Sequence, residues 1–130
     1  LTVYPTAVLL NESDIRGAIV ALDDDHECDS VMSATNFSFP IQRAVFENDF
    51  GYAEMFYSEH YSTRSQDLIE AKHDAGQFYF GKKSAWISNK RMHTDGCGIV
   101  LPNWRFIDID SDEDWRRAEL LYEIIKRDNE

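Results

Sequence analysis

A chain of 130 residues, 43% hydrophobic and 28% charged, holds enough apolar sequence for one globular core, and no apolar run approaches the roughly 18 residues that a membrane span needs. With 13 basic residues against 24 acidic ones the net charge is −11, which argues against a nucleic-acid backbone as partner. Any anionic ligand has to be met by a local Arg or Lys cluster, or by a metal that bridges it to carboxylates.

Leu1 opens a short apolar stretch with no basic region before it, so no secretory leader is read there. Leu1 is not an initiator Met, and Leu1–Tyr4 reads as a strand already under way, so the chain is expected to continue upstream. Pro5 and Thr6 end that strand. Asn11, with Asp14 three residues later, is a capping pair for a helix whose apolar face is Ile15, Ala18, Ile19 and Leu22. The run Asp23-Asp24-Asp25 stands at the wrong end for the helix dipole and reads as a solvated loop.

The alternation over 29–37 predicts a strand, broken at Phe39-Pro40. From 44 to 61 the sequence is aromatic and irregular: Phe46, Phe50, Tyr52, Phe56, Tyr57 and Tyr61 are interleaved with acids. A packed subunit interface accounts for these rings better than a solvated loop does. A short helix is expected over 65–72, a buried strand over 77–80, and a helical turn over 83–88. Two further strands are expected at 99–101 and 105–109. Ser111 and Asp114 form a capping box for a long helix, with Trp115, Ala118, Tyr122 and Ile125 as its stripe, widened by Leu121 and Ile124. Lys126 and Arg127 suit its C-terminal end. The interleaving of strands and helices gives an α/β class. Cys28 and Cys97 have neither CxxC spacing nor disulfide-scaffold density, so buried free thiols in a reducing cytoplasm are expected.

The sharpest chemical signal is Asp108-Ile109-Asp110. On an extended segment, residues two apart share a side. Two carboxylates would therefore meet beyond the segment's carboxyl end, where open α/β sheets place ligands. Two hard oxygens completed by substrate phosphates is a usual way to hold Mg²⁺. The same acids would also favour the positive end of the following helix, and spacing alone leaves both readings standing. An EF-hand is excluded, because Glu113 occupies the position that must be Gly and the helix begins inside the loop. The histidines show no zinc spacing, and no Gly-rich phosphate loop is present. Two weaker clusters are Phe39-Pro40-Ile41-Gln42-Arg43 and Thr63-Arg64-Ser65-Gln66-Asp67 followed by His73–Tyr79. Each contains an Arg fork suited to carboxylate or phosphate, but taken alone the first reads sooner as a surface arginine and the second as a surface loop and a core strand.

Taken together, in this order, these segments resemble the CMP-sialic acid synthetase family, over essentially the whole chain. Asp108-Ile109-Asp110 with Ser111–Trp115 is similar to the family's terminal metal motif, FPIQRA (39–44) to its basic turn, and Tyr4-Pro5-Thr6-Ala7 to a ligand-contacting strand end. TRSQD (63–67) and HDAGQFY (73–79) look like the pseudaminic acid branch. The resemblance implies a C-terminal portion of a Rossmann-like nucleotide-diphospho-sugar transferase, a mixed sheet flanked by helices. It also implies a dimerisation and substrate arm over 44–75, with the triphosphate loop missing. It implies CMP transfer from CTP to a nine-carbon acidic sugar, Mg²⁺ on catalytic Asp108 and Asp110, and substrate contacts from Tyr4, Gln42, Arg43, Arg64, Asp74, Gln77 and Tyr79. A cytoplasmic homodimer is expected, without membrane or nucleic-acid partners and with this stretch inactive alone. The other class in view is a non-catalytic dimerisation or sugar-binding module.

Overall fold

A computed structural model describes residues 1–24, 28–89, 91 and 96–128. The chain divides into two compact units, Leu1–Thr35 with Asp74–Glu130, and Asn36–His73. Strands β1 (Thr2–Val3), β2 (Ser30–Asn36), β5 (Lys72–Gly81) and β6 (Cys97–Val100) form one sheet in the order β1-β5-β2-β6. β1 runs antiparallel to β5, with Thr2 opposite Tyr79, and β2 runs parallel to β6, with Val31 opposite Cys97. With helices α1 (Glu12–Asp24), α2 (Lys83–Ile87) and α3 (Asp112–Asp128), this is the expected α/β class with a mixed sheet.

β2 is buried at Ser30, Val31, Ser33, Ala34 and Thr35, the near-continuous burial of an interior strand. Its polar side chains are spent on the backbone around it. Ser33 Oγ accepts the N–H groups of Gln77 (3.0 Å) and Phe78 (3.1 Å). Thr35 Oγ1 lies 3.0 Å from the Leu101 carbonyl and 2.5 Å from Asn103 Oδ1. Phe78, fully buried, packs with Val31, Cys28, and Ala18 and Leu22 of α1. A second core joins Leu9, Ile107 and Ala118, with Ile109, Leu121 and Ile125 against it.

The α1 cap forms as its sequence dictates. Asn11 Oδ1 accepts the Asp14 N–H (3.1 Å), and Asp14 Oδ2 accepts the Asn11 N–H (3.0 Å). The buried face of α1 is Asp14, Ala18 and Leu22; Ile19, expected on it, is exposed, because the i, i+4 row through 14, 18 and 22 takes the sheet. Asp23 and Asp24 complete the helix instead of opening a loop, and Asp25 lies outside the described residues. On α3 the buried stripe is Ala118 with half-buried Leu121 and Ile125, while Trp115, Tyr122 and Ile124 stay half-exposed.

Four expectations are corrected. The helix over 65–72 is only a single 3-10 turn at Ser65–Asp67, because Leu68 turns extended (φ −86°, ψ 148°). The strand expected at 77–80 runs from Lys72, and the Asp-Ala-Gly stretch lies inside it instead of before it. Gly76 there has φ +59°, the left-handed region where a Cβ would be strained. Residues 105–109 are not a strand: Asn103–Arg105 is a 3-10 turn, and 106–110 joins no ladder among the described residues. Finally, Cys28 and Cys97 pair as a disulfide, with Cα atoms 6.1 Å apart. The parallel β2–β6 alignment sets Cys97 opposite Val31 and so brings together two residues 69 apart in sequence. Free thiols therefore no longer argue for a reducing compartment.

The capping box of α3 is complete. Ser111 Oγ–H donates to Asp114 Oδ2 (2.6 Å), and the two backbone N–H groups bond reciprocally. The Ser111 hydroxyl holds the Asp114 carboxyl below its ordinary value against the opposing effect of desolvation, with further help from the Asp110 and Ser111 N–H groups and Arg117. A depressed folded-state pKa contributes stability above the unfolded value and loses it as pH falls through the folded one. Ser111→Ala is expected to raise the Asp114 titration midpoint in a carboxyl-detected NMR series, and to shrink the stability difference between neutral pH and about pH 3.

The second unit holds a hairpin, β3 (Val45–Glu47) antiparallel to β4 (Ala53–Met55), with Val45 opposite Met55 and Glu47 opposite Ala53. Asn48 shapes its loop, its Oδ1 accepting the N–H groups of Phe50 (3.0 Å) and Tyr52 (2.9 Å). Phe46 and Phe56 pack with ring centroids 5.0 Å apart. No residue of this unit is buried, and Phe39, Phe50, Tyr61 and Ile69 are each at least 77% exposed.

Candidate functional site

The segment 106–110 carries the aspartate pair. Phe106 is extended (φ −119°, ψ 133°), and burial alternates after it: Ile107 is 3% exposed and Ile109 half-buried, whereas Asp108 and Asp110 are exposed. This is the side-chain alternation of a strand without the ladder. Both carboxylates stand on the open side, and neither is held in an ion pair or hydrogen bond among the described residues. An open depression of about 480 Å³ adjoins Asp110, lined also by Ile109, Ser111, Asp112 and Trp115; Asp108 is not part of its wall.

The donor set suits Mg²⁺: two hard, unengaged carboxylates on one side, leaving the remaining positions to water and phosphate oxygens. No group of three His, Cys, Asp or Glu side chains gathers among the described residues, so an all-protein calcium or zinc cage is not what this arrangement offers. The loop around an EF-hand ion is likewise absent, since 112–119 is helical.

How the segment is held was not legible in the sequence. Leu101 N–H donates to the Ala34 carbonyl (2.7 Å), and Thr35 grips 101–103 as described. Arg105 forms an ion pair with Asp14, the capping acid of α1, their side chains only 13% and 9% exposed. Gln77 Nε2 reaches the Ile107 carbonyl (3.4 Å). Arg105 and Asp14 lie 91 residues apart, and although Asp14 belongs to the local α1 cap, nothing in the sequence pairs it with Arg105.

Tyr4, Asp74 and Tyr79 form a second group in the same unit. The Tyr79 hydroxyl donates to Asp74 Oδ2, the Tyr4 and Tyr79 rings stand 5.9 Å apart, and Asp74 Oδ1 accepts the Gly76 N–H (2.8 Å). Burial pushes the Tyr79 phenol well above its ordinary range, reinforced by the Asp74 bond and charge and more weakly by Tyr4. A raised folded pKa means stability that is full below the unfolded value of about 10 and falls as pH rises beyond it. Tyr79→Phe is accordingly expected to flatten the loss of stability above about pH 10, followed by urea melts. Gln77, by contrast, is 2% exposed, so its amide meets backbone and not solvent.

Gln42, Arg43 and Arg64 belong to the other unit. The Arg43 guanidinium donates to the Tyr61 carbonyl (3.0 Å) and to the Thr63 carbonyl, tying the basic turn to the segment that carries Arg64. Gln42 Nε2 donates to the Ile69 carbonyl (3.3 Å), and its Oε1 is buried without a partner. Arg64 is exposed.

No protein-family model matches the chain. Two curated proteins named pseudaminic acid cytidylyltransferase, from Campylobacter jejuni strains 81-176 and NCTC 11168, are each 38% identical to it over 122 residues, covering 93% of this chain and 52% of theirs. The chain is a homologue of the pseudaminic acid cytidylyltransferases. A longer Helicobacter pylori protein, named as both pseudaminic acid cytidylyltransferase and UDP-2,4-diacetamido-2,4,6-trideoxy-beta-L-altropyranose hydrolase, is 34% identical over 84 residues, 64% of this chain and 16% of that one. The chain spans about half the length of the Campylobacter cytidylyltransferases. The mixed α/β sheet agrees with a Rossmann-like nucleotidyltransferase fold.

Proposed function

We propose that the gene product carrying this chain transfers CMP from CTP to the anomeric hydroxyl of a nine-carbon acidic sugar of the pseudaminic acid type, releasing pyrophosphate. The observation that carries this reading is the 38% identity to cytidylyltransferases of that name across 93% of the chain. The sugar hydroxyl attacks the α-phosphorus, and the work left to the protein is positioning and charge neutralisation. Asp108 and Asp110 hold Mg²⁺, which when bound neutralises phosphate charge. Arg43 and Arg64, with Gln42, meet the sugar carboxylate or phosphates; Tyr4, Asp74 and Tyr79 orient the sugar. Arg43 spends part of its five-donor fork on two carbonyls, so Arg64 is the freer cation for an anion.

The product is a homodimer joined through the 36–73 unit, whose exposed rings and lack of any buried residue call for a covering surface. No helix among the described residues is long and apolar enough to cross a membrane, and the charge of −11 disfavours nucleic acid. The proposed reaction belongs in the cytoplasm, the compartment that supplies CTP, where a disulfide such as Cys28–Cys97 is rare.

A second reading, a dimerisation or sugar-binding module without turnover, draws on the exposed rings of the 36–73 unit. Titration calorimetry on this chain separates the two from any unrelated role. Binding of the CMP-sugar in the presence of Mg²⁺, without binding of CTP alone, fits a substrate-side portion of the transferase, inactive by itself. Absence of any CMP-sugar or sugar heat removes both readings.

A further inference from the structure

The aspartate segment lacks the hydrogen-bond ladder that would fix a strand, yet its side chains alternate in burial as a strand's do. Something other than a neighbouring strand sets its depth and register. On β5, Phe78 points into the core shared with α1, and the adjacent Gln77 points to the opposite face. There its Nε2 donates to the Ala75 carbonyl (2.9 Å) and to the Ile107 carbonyl (3.4 Å), the peptide oxygen immediately before Asp108. Gln77 itself cannot drift: its N–H and that of Phe78 both bond Ser33 Oγ at the centre of the sheet. Its Oε1 is buried without a partner, so the amide is oriented by its donor end alone. The flipped amide would set oxygen against two carbonyl oxygens.

We infer that Gln77 is a positioning residue: a fully buried amide that registers the Asp108–Asp110 segment to the central sheet, instead of a group that touches the sugar. This rests on the reading of Asp108 and Asp110 as metal ligands. The geometry is a relay from Ser33 through Gln77 to the Ile107 carbonyl, while the Ile107 side chain sinks into the core with Leu9 and Ala118. The carboxylates then project from a backbone fixed on its inner side. Losing the amide donor leaves the Ile107 carbonyl buried and unpaired, and the segment is expected to move outward to find water.

The test compares Gln77→Met and Gln77→Asn with Phe78→Leu, a neighbour on the other face of the same strand, in the chain as it stands. Mn²⁺ affinity is read by electron paramagnetic resonance, and segment order by hydrogen exchange of peptides covering 105–111. Both Gln77 variants are expected to weaken Mn²⁺ binding by about tenfold, as outer-shell partners of metal ligands do, and to speed exchange in that peptide. Gln77→Asn keeps the amide but not the reach, so it serves where the Met variant folds poorly. Phe78→Leu lowers the melting temperature and leaves Mn²⁺ affinity unchanged, which a merely structural Gln77 would also do. Unchanged affinity and unchanged exchange in both Gln77 variants overturn the inference. A paired Asp108→Asn, Asp110→Asn variant that binds Mn²⁺ as well as the parent chain overturns the metal reading beneath it instead.

Discussion

Replacing Asp110 by Ala is expected to cut CMP-sugar formation by the gene product carrying this chain at least about 100-fold, while leaving its melting temperature unchanged. The magnitude follows because outer-shell partners of a metal alone cost about 10- to 100-fold, and Asp110 is assigned to the first shell. The lack of a stability effect follows from placement. Asp110 is exposed and its carboxylate holds nothing in the fold, and substitutions at such positions stay within about 0.5 kcal/mol. Product formation is followed by anion-exchange separation of the CMP-sugar and stability by a thermal melt. Loss of activity together with loss of folding would make Asp110 a structural residue. Retained activity without Mg²⁺ dependence would remove it from the site altogether.

Arg105→Ala carries the largest expected effect on stability, about 3–5 kcal/mol. The Arg105–Asp14 pair is almost entirely removed from water, with side-chain exposures of 13% and 9%. Truncating one partner leaves the other charge buried and uncompensated. A domain's whole stability is only about 5–15 kcal/mol, so the variant is expected to lose a large fraction of it. Asp14 also caps α1, so the break would spread to that helix's first turn. Arg105→Lys keeps the charge but loses the planar fork, and its loss is expected to be smaller. Urea melts monitored by circular dichroism order the three proteins; an Arg105→Ala midpoint equal to that of the parent chain would mean the pair contributes nothing net.

What the sequence discloses depends on how local the cause is. Asn11 with Asp14 and Ser111 with Asp114 predict both long helices, because a cap and its partner lie within three residues and need no tertiary context. The aspartates at 108 and 110 are legible for the same reason, since their shared side follows from backbone alternation alone. Two of the corrected readings, the strand at 105–109 and the free thiols, have distant causes. Residues 105–109 have strand-like composition, but a strand needs a neighbour, and none among the described residues pairs with them. The Cys28–Cys97 bridge needs the β2–β6 alignment, and the Arg105–Asp14 pair needs α1 and the 103–105 turn brought together by the sheet. Gln77 is instructive in another way. Its place in an HDAGQFY stretch marks it as a ligand contact by resemblance, whereas its 2% exposure comes from packing that no spacing rule encodes.

The 36–73 unit shows a related limit. Its aromatic run is visible as an unusual stretch, and the structure leaves those rings uncovered. Which surface covers them is a property of the assembly, and a chain read singly carries it only as exposed apolar area.

The two aspartates can be examined head-on by crystallising the gene product with CTP and Mn²⁺ and locating the ion from its anomalous signal. One ion is expected, with an oxygen of Asp108 and an oxygen of Asp110 each within about 2.0–2.3 Å and a phosphate oxygen opposite. An ion seated away from these residues, or the two side chains directed apart with the nucleotide bound, would contradict the assignment.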